Sequence, residues 1–457
     1  MNVHCSCENE RESPANISAE NGEELAGGDY LTTFDLSENA FGQQAQGLTT
    51  SQQADFVVGN SFFRNNWVTA PASVQSLDGL GPLMNAISCS GCHFKDGRAK
   101  PPSSATESLN GLLFRLSIPG ELIHGHPAPV PAYGGQFQEK SIEGVNSEGE
   151  VSVTYTEITG AYTDGATYSL RAPTYEFRNL QYGAWGSNVM ISPRIAQQIP
   201  GLGLLENVEE STILSFADEN DLNGDGVSGR PNYVWDQVKQ QTVLGRFGWK
   251  ANQPSLLQQA SAAFNGDMGI TTTIFPQDAL TEVQRNLYPN VPNGGAPELE
   301  DINLNKVVRY IQTLAVPGRR DWKNDNVLLG KTIFNHLGCA KCHIPKMVTS
   351  NSSEFPVLNG QTIRPYTDLL LHDMGEGLAD YRPDFLATGS EWRTAPLWGL
   401  GMIKTVNRHT FLLHDGRARS IEEAILWHGG EAATSKISFE KLTYSDRNAL
   451  VSFIESL

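Results

Sequence analysis

The spacing of apolar side chains predicts short helices, separated by loops rich in glycine and proline, over most of the chain. Helical spacing is clearest over residues 307–314, which a stop signal at Pro317 and Gly318 follows. Residues 128–175 differ, because apolar and polar side chains alternate there, as over residues 151–155, and glycines are frequent. The pattern therefore predicts a mainly α fold that carries a β-hairpin-rich insertion.

Composition and the stop signal divide the chain into three parts. Residues 1–45 are rich in Glu, Asn, Ser and Gly, which is typical of a flexible segment. A second boundary is expected at residue 317, where the predicted helix ends. The sequence thus predicts a flexible N-terminal tail (1–45), an N-terminal domain with insertions (46–317) and a C-terminal domain (318–457).

The two halves of the chain carry an internal repeat. A G-x-x-x-F pattern begins at Gly59 in the first half and at Gly330 in the second. Further along each half, an aromatic-led turn enters a predicted helix, over residues 247–260 and 411–424. The same order of segments indicates that both halves are built on one plan.

Each half contains one Cys-x-x-Cys-His motif. Two thiols at this spacing reach the two vinyl groups on one edge of a porphyrin, and the following histidine lies under the iron. Only 10 of the 457 residues are histidine, and a zinc site would need four ligands close together, whereas the two motifs lie far apart in sequence. The sequence therefore predicts two covalently bound haems c, one held by Cys89, Cys92 and His93 and one by Cys339, Cys342 and His343.

The repeat predicts that the two haems differ in their second axial ligand. His428 lies four residues after Ala424, about one helical turn, and Phe264 stands at the aligned position, four residues after Ala260. A phenyl ring cannot ligate iron. The second haem is therefore expected to be six-coordinate, through His343 and His428, while the first keeps an open position. The alternative is that His428 is an ordinary buried or surface histidine.

The charge balance limits the partners. A net charge of -18, from 33 basic and 51 acidic residues, argues against nucleic acid, because phosphate binding needs a cationic face. An acidic surface suits a basic electron-transfer protein, although a solvated acidic surface is the alternative. No run of about 18 apolar residues occurs, so no transmembrane segment is expected.

Haem attachment through thioethers takes place outside the bacterial cytoplasm. We therefore expect a periplasmic or cell-surface protein whose export signal is not present in this chain. The remaining cysteines, Cys5 and Cys7, lie in a polar segment, where lipidation of one of them would anchor the protein. The preceding residues match a lipoprotein cleavage site poorly, so a free or disulfide-bonded tail is favoured.

Residues 221–228 follow the D-x-N-x-D-G pattern, which places alternate oxygens around Ca²⁺ and uses glycine for the turn. The twelfth position is Asn232 and not glutamate, so a bidentate closing ligand is missing. A loop without metal, closed by side-chain to backbone hydrogen bonds, is the alternative. The predicted calcium ligands are Asp221, Asn223, Asp225 and the carbonyl of Val227.

Several segments resemble the bacterial di-haem cytochrome c peroxidase and MauG superfamily, in particular its di-haem oxidoreductase branch. The likeness covers about residues 50–457. It implies two cytochrome c-like haem domains. The segments that carry it are 89–98 (CSGCHFKDGR), 169–173 (SLRAP), 223–232 (NGDGVSGRPN), 244–256 (LGRFGWKANQPSL), 369–379 (LLLHDMGEGLA), 390–400 (SEWRTAPLWGL) and 413–432 (LHDGRARSIEEAILWHGGEA).

The resemblance implies roles for three further residues. The superfamily's inter-haem tryptophan corresponds to Trp249, which would relay electrons, and a packed core tryptophan is the alternative. The glutamine and the acid above the peroxide-reducing iron correspond to Gln259 and Asp267. Such an acid moves a proton from the inner to the outer peroxide oxygen. Aspartate is shorter than the glutamate of the superfamily, so its reach towards the peroxide is reduced. The alternative is that Asp267 is an acidic residue of a surface loop.

The resemblance also bears on three histidines. The distal ligand of the electron-entry haem, Met in the peroxidases and Tyr in MauG-type enzymes, corresponds to His428. Imidazole in place of Met should lower the potential of that haem. A loop histidine caps the peroxide-reducing haem in this group, and the nearest candidates here are His124 and His126. The favoured alternative is that both lie in a loop and have no ligand role.

We therefore expect an exported di-haem c-type oxidoreductase, a peroxidase that reduces H₂O₂ or another small oxidant at the N-terminal haem. Electrons would come from the C-terminal haem, which a small cytochrome or similar redox protein would reduce. Two alternatives stay open: MauG-like or oxygenase-like oxidation of an organic or protein substrate, and a non-enzymatic electron-transfer protein. The resemblance further suggests a homodimer.

Overall fold

Neither helices nor strands dominate the chain. The computed structural model describes residues 17–457, with 30% helix, 18% strand and many small sheets. The expected mainly α class, with two cytochrome c-like haem domains and a β-rich insertion, is therefore wrong. Most of the missed strands are only two or three residues long, too short for a period-two pattern to stand out. Cys5 and Cys7 lie outside the described residues.

The α-helices are spread over both halves of the chain. The helix α1 begins after Thr49, whose hydroxyl accepts a hydrogen bond from the Gln52 amide while the Gln52 side chain accepts from the Thr49 amide, a capping box. The helices of the described part are α1 (Thr50–Arg64), α2 (Cys89–Cys92), α3 (Leu202–Glu206), α4 (Glu210–Leu214), α5 (Leu256–Met268), α6 (Glu282–Leu287), α7 (Asp301–Gln312), α8 (Asp325–His336), α9 (Ile403–Asn407), α10 (Ile421–Trp427), α11 (Ala433–Glu440) and α12 (Tyr444–Ser456).

Every sheet in the described part consists of two strands. The strands are β1 (Thr32–Thr33), β2 (Leu83–Met84), β3 (Leu112–Ser117), β4 (Lys140–Ser141), β5 (Glu150–Ala161), β6 (Thr167–Arg178), β7 (Met190–Ile195), β8 (Tyr233–Asp236), β9 (Gln241–Leu244), β10 (Val316–Pro317), β11 (Met347–Val348), β12 (Thr362–Ile363), β13 (Leu371–Asp373) and β14 (Glu391–Arg393). β1 pairs in parallel with β10, and the other pairs are antiparallel.

The longest hairpin lies within the stretch where apolar and polar residues alternate. Its strands β5 and β6 pair over 12 residues each, from Glu150 opposite Arg178 to Ala161 opposite Thr167. Near its tip, Tyr162 is buried against Phe439 of α11. The hairpin therefore connects the first half of the chain with the C-terminal helices.

The predicted repeat is confirmed by two close helix crossings. A Cβ atom on Gly59 of α1 would lie 2.0 Å from the carbonyl oxygen of Lys306 in α7. A Cβ atom on Gly330 of α8 would lie 1.9 Å from the carbonyl oxygen of Ala449 in α12. Only glycine allows the two backbones to approach this closely, so each half is built on one tight helix pair.

Residues 17–45, the described part of the predicted flexible tail, pack against the folded chain. Leu31 is fully buried, and the next two residues form β1 beside β10. The buried carboxylate of Glu23 forms ion pairs with Arg319 and Lys331. The expectation of a flexible tail therefore does not hold for residues 17–45, while the domain boundary near residue 317 stays a prediction. Within the described part, no helix has the length and apolar character needed to cross a membrane.

Candidate functional site

The second Cys-x-x-Cys-His motif follows α8 after a turn at Gly338, whose φ is 83°. The ring of His343 is oriented by its Nδ1–H, which donates to the carbonyl oxygen of Tyr366 at 2.9 Å. A carbonyl oxygen can only accept, so the lone pair of His343 is on Nε2. Burial and the nearby His428 ring lower the pKa of His343 to about 4, which keeps the imidazole neutral and able to ligate iron.

His428 lies at the end of α10 and is held in the same way. Its Nδ1–H donates to the carbonyl oxygen of Ala424 at 2.6 Å, which again leaves Nε2 free. Burial lowers the pKa of His428. His343, His428, Cys339 and Cys342 line one cavity of about 1660 Å³, part of which is open to solvent. Two thiols and two neutral imidazoles with free Nε2 atoms fit a six-coordinate haem.

The wall of this cavity contains three aromatic rings from distant segments. Trp249 is buried and donates from Nε1 to the carbonyl oxygen of Ile195 at 2.8 Å. Trp392 and the ring of His414 stack with their centroids 3.9 Å apart. Trp249 thus lies at the cavity of the second motif and is bonded to the end of β7.

The first motif forms the short helix α2. His93 is oriented by its Nδ1–H, which lies 2.6 Å from the carbonyl oxygen of Gln197, and burial lowers the pKa of His93. This histidine is therefore also neutral, with Nε2 free, and together with Cys89 and Cys92 it fits the attachment of a second haem. Phe264, at the position aligned with His428, is buried in α5, its ring centroid 5.7 Å from that of Trp67.

Gln197 connects the two motifs and was missed by sequence reasoning. Its carbonyl orients His93, while its side-chain Oε1 accepts from Arg393 at 3.0 Å and the residue lines the cavity of His343 and His428. Trp249 is bonded to Ile195, only two residues before Gln197. The backbone over residues 195–197 therefore holds a side chain from each site.

Asp267 lies at the C-terminal end of α5. Its Oδ1 accepts from Gln136 Nε2 at 2.8 Å. Burial raises the pKa of Asp267, although the nearby Arg115 guanidinium and the Gln136 hydrogen bond oppose the shift. A carboxyl group of raised pKa in an interior position is suited to taking and returning a proton.

Next to Asp267 is a cavity of about 900 Å³, part of which is open to solvent, whose polar lining residues include Arg115, His126 and Gln136. Gln258 lines it as well, whereas Gln259, the predicted residue, is half-buried and does not. Of the two loop histidines, His126 thus faces this cavity. The ring of His124 instead stacks on Trp235, with centroids 3.5 Å apart.

A second charged cluster lies beside Cys342. His372 is bonded through Nε2 to Asp368 and through Nδ1 to Glu431, both at 2.8 Å, and its Nδ1 lies 3.5 Å from Cys342 Sγ. Burial lowers the pKa of His372, but the two carboxylates outweigh it and raise that pKa well above its usual value. The spacing of Asp368 and His372, four residues apart, was the only sequence signal for this cluster.

The predicted calcium loop forms an exposed turn. Asp221 Oδ1 accepts from the amides of Asp225 and Gly226, at 2.9 and 3.1 Å, and Asn223 Oδ1 accepts from the Asp225 amide at 2.8 Å. Lys341, inside the second motif, lies 3.3 Å from Asp225 Oδ2. Calcium binding through Asp221, Asn223, Asp225 and the Val227 carbonyl stays a prediction.

Comparison with known proteins gives one family. A family model described as "Di-haem oxidoreductase, putative peroxidase" matches residues 22–457. No curated protein matches the chain. Among solved structures, hydrazine synthase of Kuenenia stuttgartiensis, pressurized with 20 bar xenon, is 17% identical with a TM-score of 0.23; the match covers 40% of this chain and 65% of that chain, less than two thirds of its length. The family match over nearly the whole sequence shows that the chain belongs to the di-haem oxidoreductase family.

Proposed function

We propose that this di-haem oxidoreductase is a peroxidase that reduces H₂O₂ at the N-terminal haem with electrons from the C-terminal haem. The observation that carries the proposal is the difference between the two sites. His343 and His428 face one cavity, each with Nε2 free. In the first half, the position aligned with His428 is taken by Phe264, buried in the core, and an acid, Asp267, lies nearby.

The haems would be held by thioether bonds to the four motif cysteines. When bound, they would supply two irons that exchange single electrons, and peroxide would react at the N-terminal one. The protein contributes ring orientation, because the carbonyls of Gln197, Tyr366 and Ala424 each fix one imidazole.

Asp267 would move a proton between the two peroxide oxygens. Each H₂O₂ converted to two waters takes up two electrons and two protons, and cleavage of the O–O bond requires the outer oxygen to leave as water. The hydrogen bond from Gln136 fixes the Asp267 carboxyl group, and burial raises its pKa, which favours the uptake of a proton.

Trp249 would carry electrons between the sites. It lines the cavity of His343 and His428, and its indole is bonded to Ile195, two residues from the residue that orients His93. A net charge of -18 supports a small basic cytochrome, or a similar redox protein, as the electron donor. Haem c attachment supports a location outside the cytoplasm, and a homodimer and bound Ca²⁺ belong to the same proposal.

The experiment that tests this function combines carbon monoxide binding with peroxide turnover. The fully reduced holoprotein is expected to bind one CO per two haems, because only one iron has an open position. It should then oxidise a reduced small cytochrome when H₂O₂ is added. Two closed irons would contradict the proposal, and CO binding without peroxide turnover would favour oxidation of an organic or protein substrate.

Replacing His428 by alanine is expected to raise CO binding from one to two molecules per chain. The change removes the second imidazole and leaves His343 as the single ligand. EPR of the oxidised protein should lose its bis-histidine signal at the same time. The control is His336→Ala, at an exposed histidine of α8, which should still bind one CO. An unchanged stoichiometry in His428→Ala would show that His428 is not a ligand.

A further inference from the structure

The cavity beside Asp267 contains buried hydrogen-bond acceptors without a partner in the described part of the chain. Gln136 and Gln138 are 6% and 5% exposed, and the Oε1 atom of each is unpaired. Both residues line the cavity. A buried polar atom without a hydrogen bond is costly, so two such atoms in one cavity indicate bound water or a small hydrogen-bond donor.

The side-chain amides of Gln136 and Gln138 are oriented by the hydrogen bonds that their nitrogen atoms donate. Gln136 Nε2 donates to Asn85 Oδ1, to the Gly266 carbonyl and to Asp267 Oδ1, at 2.6, 3.0 and 2.8 Å. Gln138 Nε2 donates to the same Gly266 carbonyl at 2.6 Å. The amide nitrogens are thus committed to protein acceptors, and the amide oxygens are left for molecules in the cavity.

Glu148 lies on the wall of the same cavity. It is 1% exposed, and its two oxygens accept from the backbone N–H of Gln138 at 2.7 Å and from Gln284 Nε2 at 2.6 Å. No cation pairs with it among the described residues. Burial raises the pKa of Glu148 to about 8 against these two hydrogen bonds, so the carboxyl group is protonated at neutral pH.

The other ionisable groups around Glu148 are few. Tyr133 and Tyr182 face it, and both keep their protons in this pH range because burial raises the pKa of each phenol. Arg115 and His126 line the cavity towards Asp267. Burial lowers the pKa of His126, which leaves its ring neutral near pH 7. Glu148 is therefore the acid of this cavity that releases a proton most readily near neutral pH.

We propose that this cavity is a water-filled proton path from Glu148 to Asp267 and that Glu148 supplies protons for the reduction of peroxide. This role of Glu148 rests on the proposed peroxidase function. The shared backbone carbonyl of Gly266 and the hydrogen bond between Gln136 and Asp267 join the two ends of the path.

The proton balance defines the role of Glu148. The two electrons for each peroxide come from the donor protein, and the two protons come from solvent. For each proton, the carboxyl O–H of Glu148 breaks, a new O–H forms on a cavity water, and a proton passes along the waters to the Asp267 carboxylate. Asp267 then gives this proton to a peroxide-derived oxygen, which leaves as water. Glu148 regains its proton from solvent at the rim of the cavity, where Ala279 is exposed.

The first test is Glu148→Gln in the haem-loaded protein. We expect kcat for peroxide at pH 7 to fall about tenfold with KM unchanged, because a neutral amide cannot release a proton, while bulk water still supplies a slower route. Turnover of the wild type should decline as the pH rises through about 8, where Glu148 loses its proton, and this decline should be absent in the variant. The matched control is Glu143→Gln, at an exposed acid nearby, with wild-type turnover and pH profile.

Infrared spectroscopy gives a readout that does not depend on turnover. A carboxylic C=O band should disappear near pH 8, shift promptly in D₂O and be missing in Glu148→Gln. If that variant does not fold, Gln138→Met replaces it: the change removes one cavity oxygen and leaves Glu148 in place. It should slow the D₂O shift and lower kcat.

The outcomes separate this role from the proposed function. A wild type without peroxide turnover overturns the peroxidase, and the infrared band then still shows whether Glu148 exchanges protons through the cavity. Peroxide turnover that keeps its rate and pH profile in Glu148→Gln or in Gln138→Met overturns the proton path alone. A Glu148 that is ionised at pH 6, or whose band does not shift in D₂O, overturns it as well.

Discussion

Asp267→Asn is expected to lower peroxide turnover by about 10²- to 10⁴-fold, the range that a positioned general acid-base group contributes. The asparagine oxygen still accepts the hydrogen bond from Gln136, which Asp267 Oδ1 receives at 2.8 Å, so the local packing is preserved. The amide cannot take up and return a proton, so only proton transfer is lost. The measurement is kcat with a reduced cytochrome as donor, at equal haem content.

Two comparisons make this result specific to proton transfer. CO binding by reduced Asp267→Asn should stay at one molecule per chain, since the open iron position is unchanged. Asp267→Glu restores a carboxyl group of the length that the superfamily uses and should keep turnover within about tenfold of the wild type. Wild-type turnover in Asp267→Asn would mean that another group cleaves the peroxide bond.

The sequence predicts those parts of the site that depend on a motif of a few consecutive residues. The Cys-x-x-Cys-His motifs and the G-x-x-x-F repeat are local patterns. The repeat therefore pairs Gly59 with Gly330, and each of these glycines lies at a close helix crossing. Phe264 and His428 were aligned in the same way. The alignment predicts that the two positions differ, and they do: Phe264 packs against an aromatic ring, whereas His428 lines the cavity of His343.

The contacts that organise the site join residues far apart in sequence, and no pattern marks them. Gln197 lies 104 residues from His93, and Gln284 lies 136 residues from Glu148. Likewise, Gln258 and Gln259 are neighbours in sequence but occupy different faces of α5. Gln258 lies on the face towards β8, where its side chain is hydrogen-bonded to the backbone of Gln237 and Trp235.

The fold class was mispredicted for a related reason. Strands such as β1 and β10 have two residues each and exist because distant segments meet, with Thr32 opposite Val316. Two residues carry no periodicity, whereas the 12-residue strands β5 and β6 have a visible pattern. Tertiary contact, and not local preference, forms most of these strands.

Lys250→Met is expected to lower the free energy of unfolding by about 3–5 kcal/mol, the cost of leaving one partner of a buried ion pair uncompensated. Lys250 follows Trp249 and is fully buried. Its Nζ donates to Asp380 Oδ1 at 2.8 Å and to the carbonyls of Arg382 and Thr388 at 2.9 and 2.7 Å. Methionine fills a similar volume, so the loss comes from the charge of Asp380 and the unpaired acceptors. Equilibrium denaturation in urea measures it.

A double-mutant cycle separates the loss of the ion pair from a general packing defect. The double variant Lys250→Met with Asp380→Leu removes both charges, so it should recover part of the lost stability. Lys239→Met, at a lysine whose side chain is 64% exposed, should change stability by less than about 0.5 kcal/mol. Equal losses in the single and double variants would contradict the ion-pair explanation.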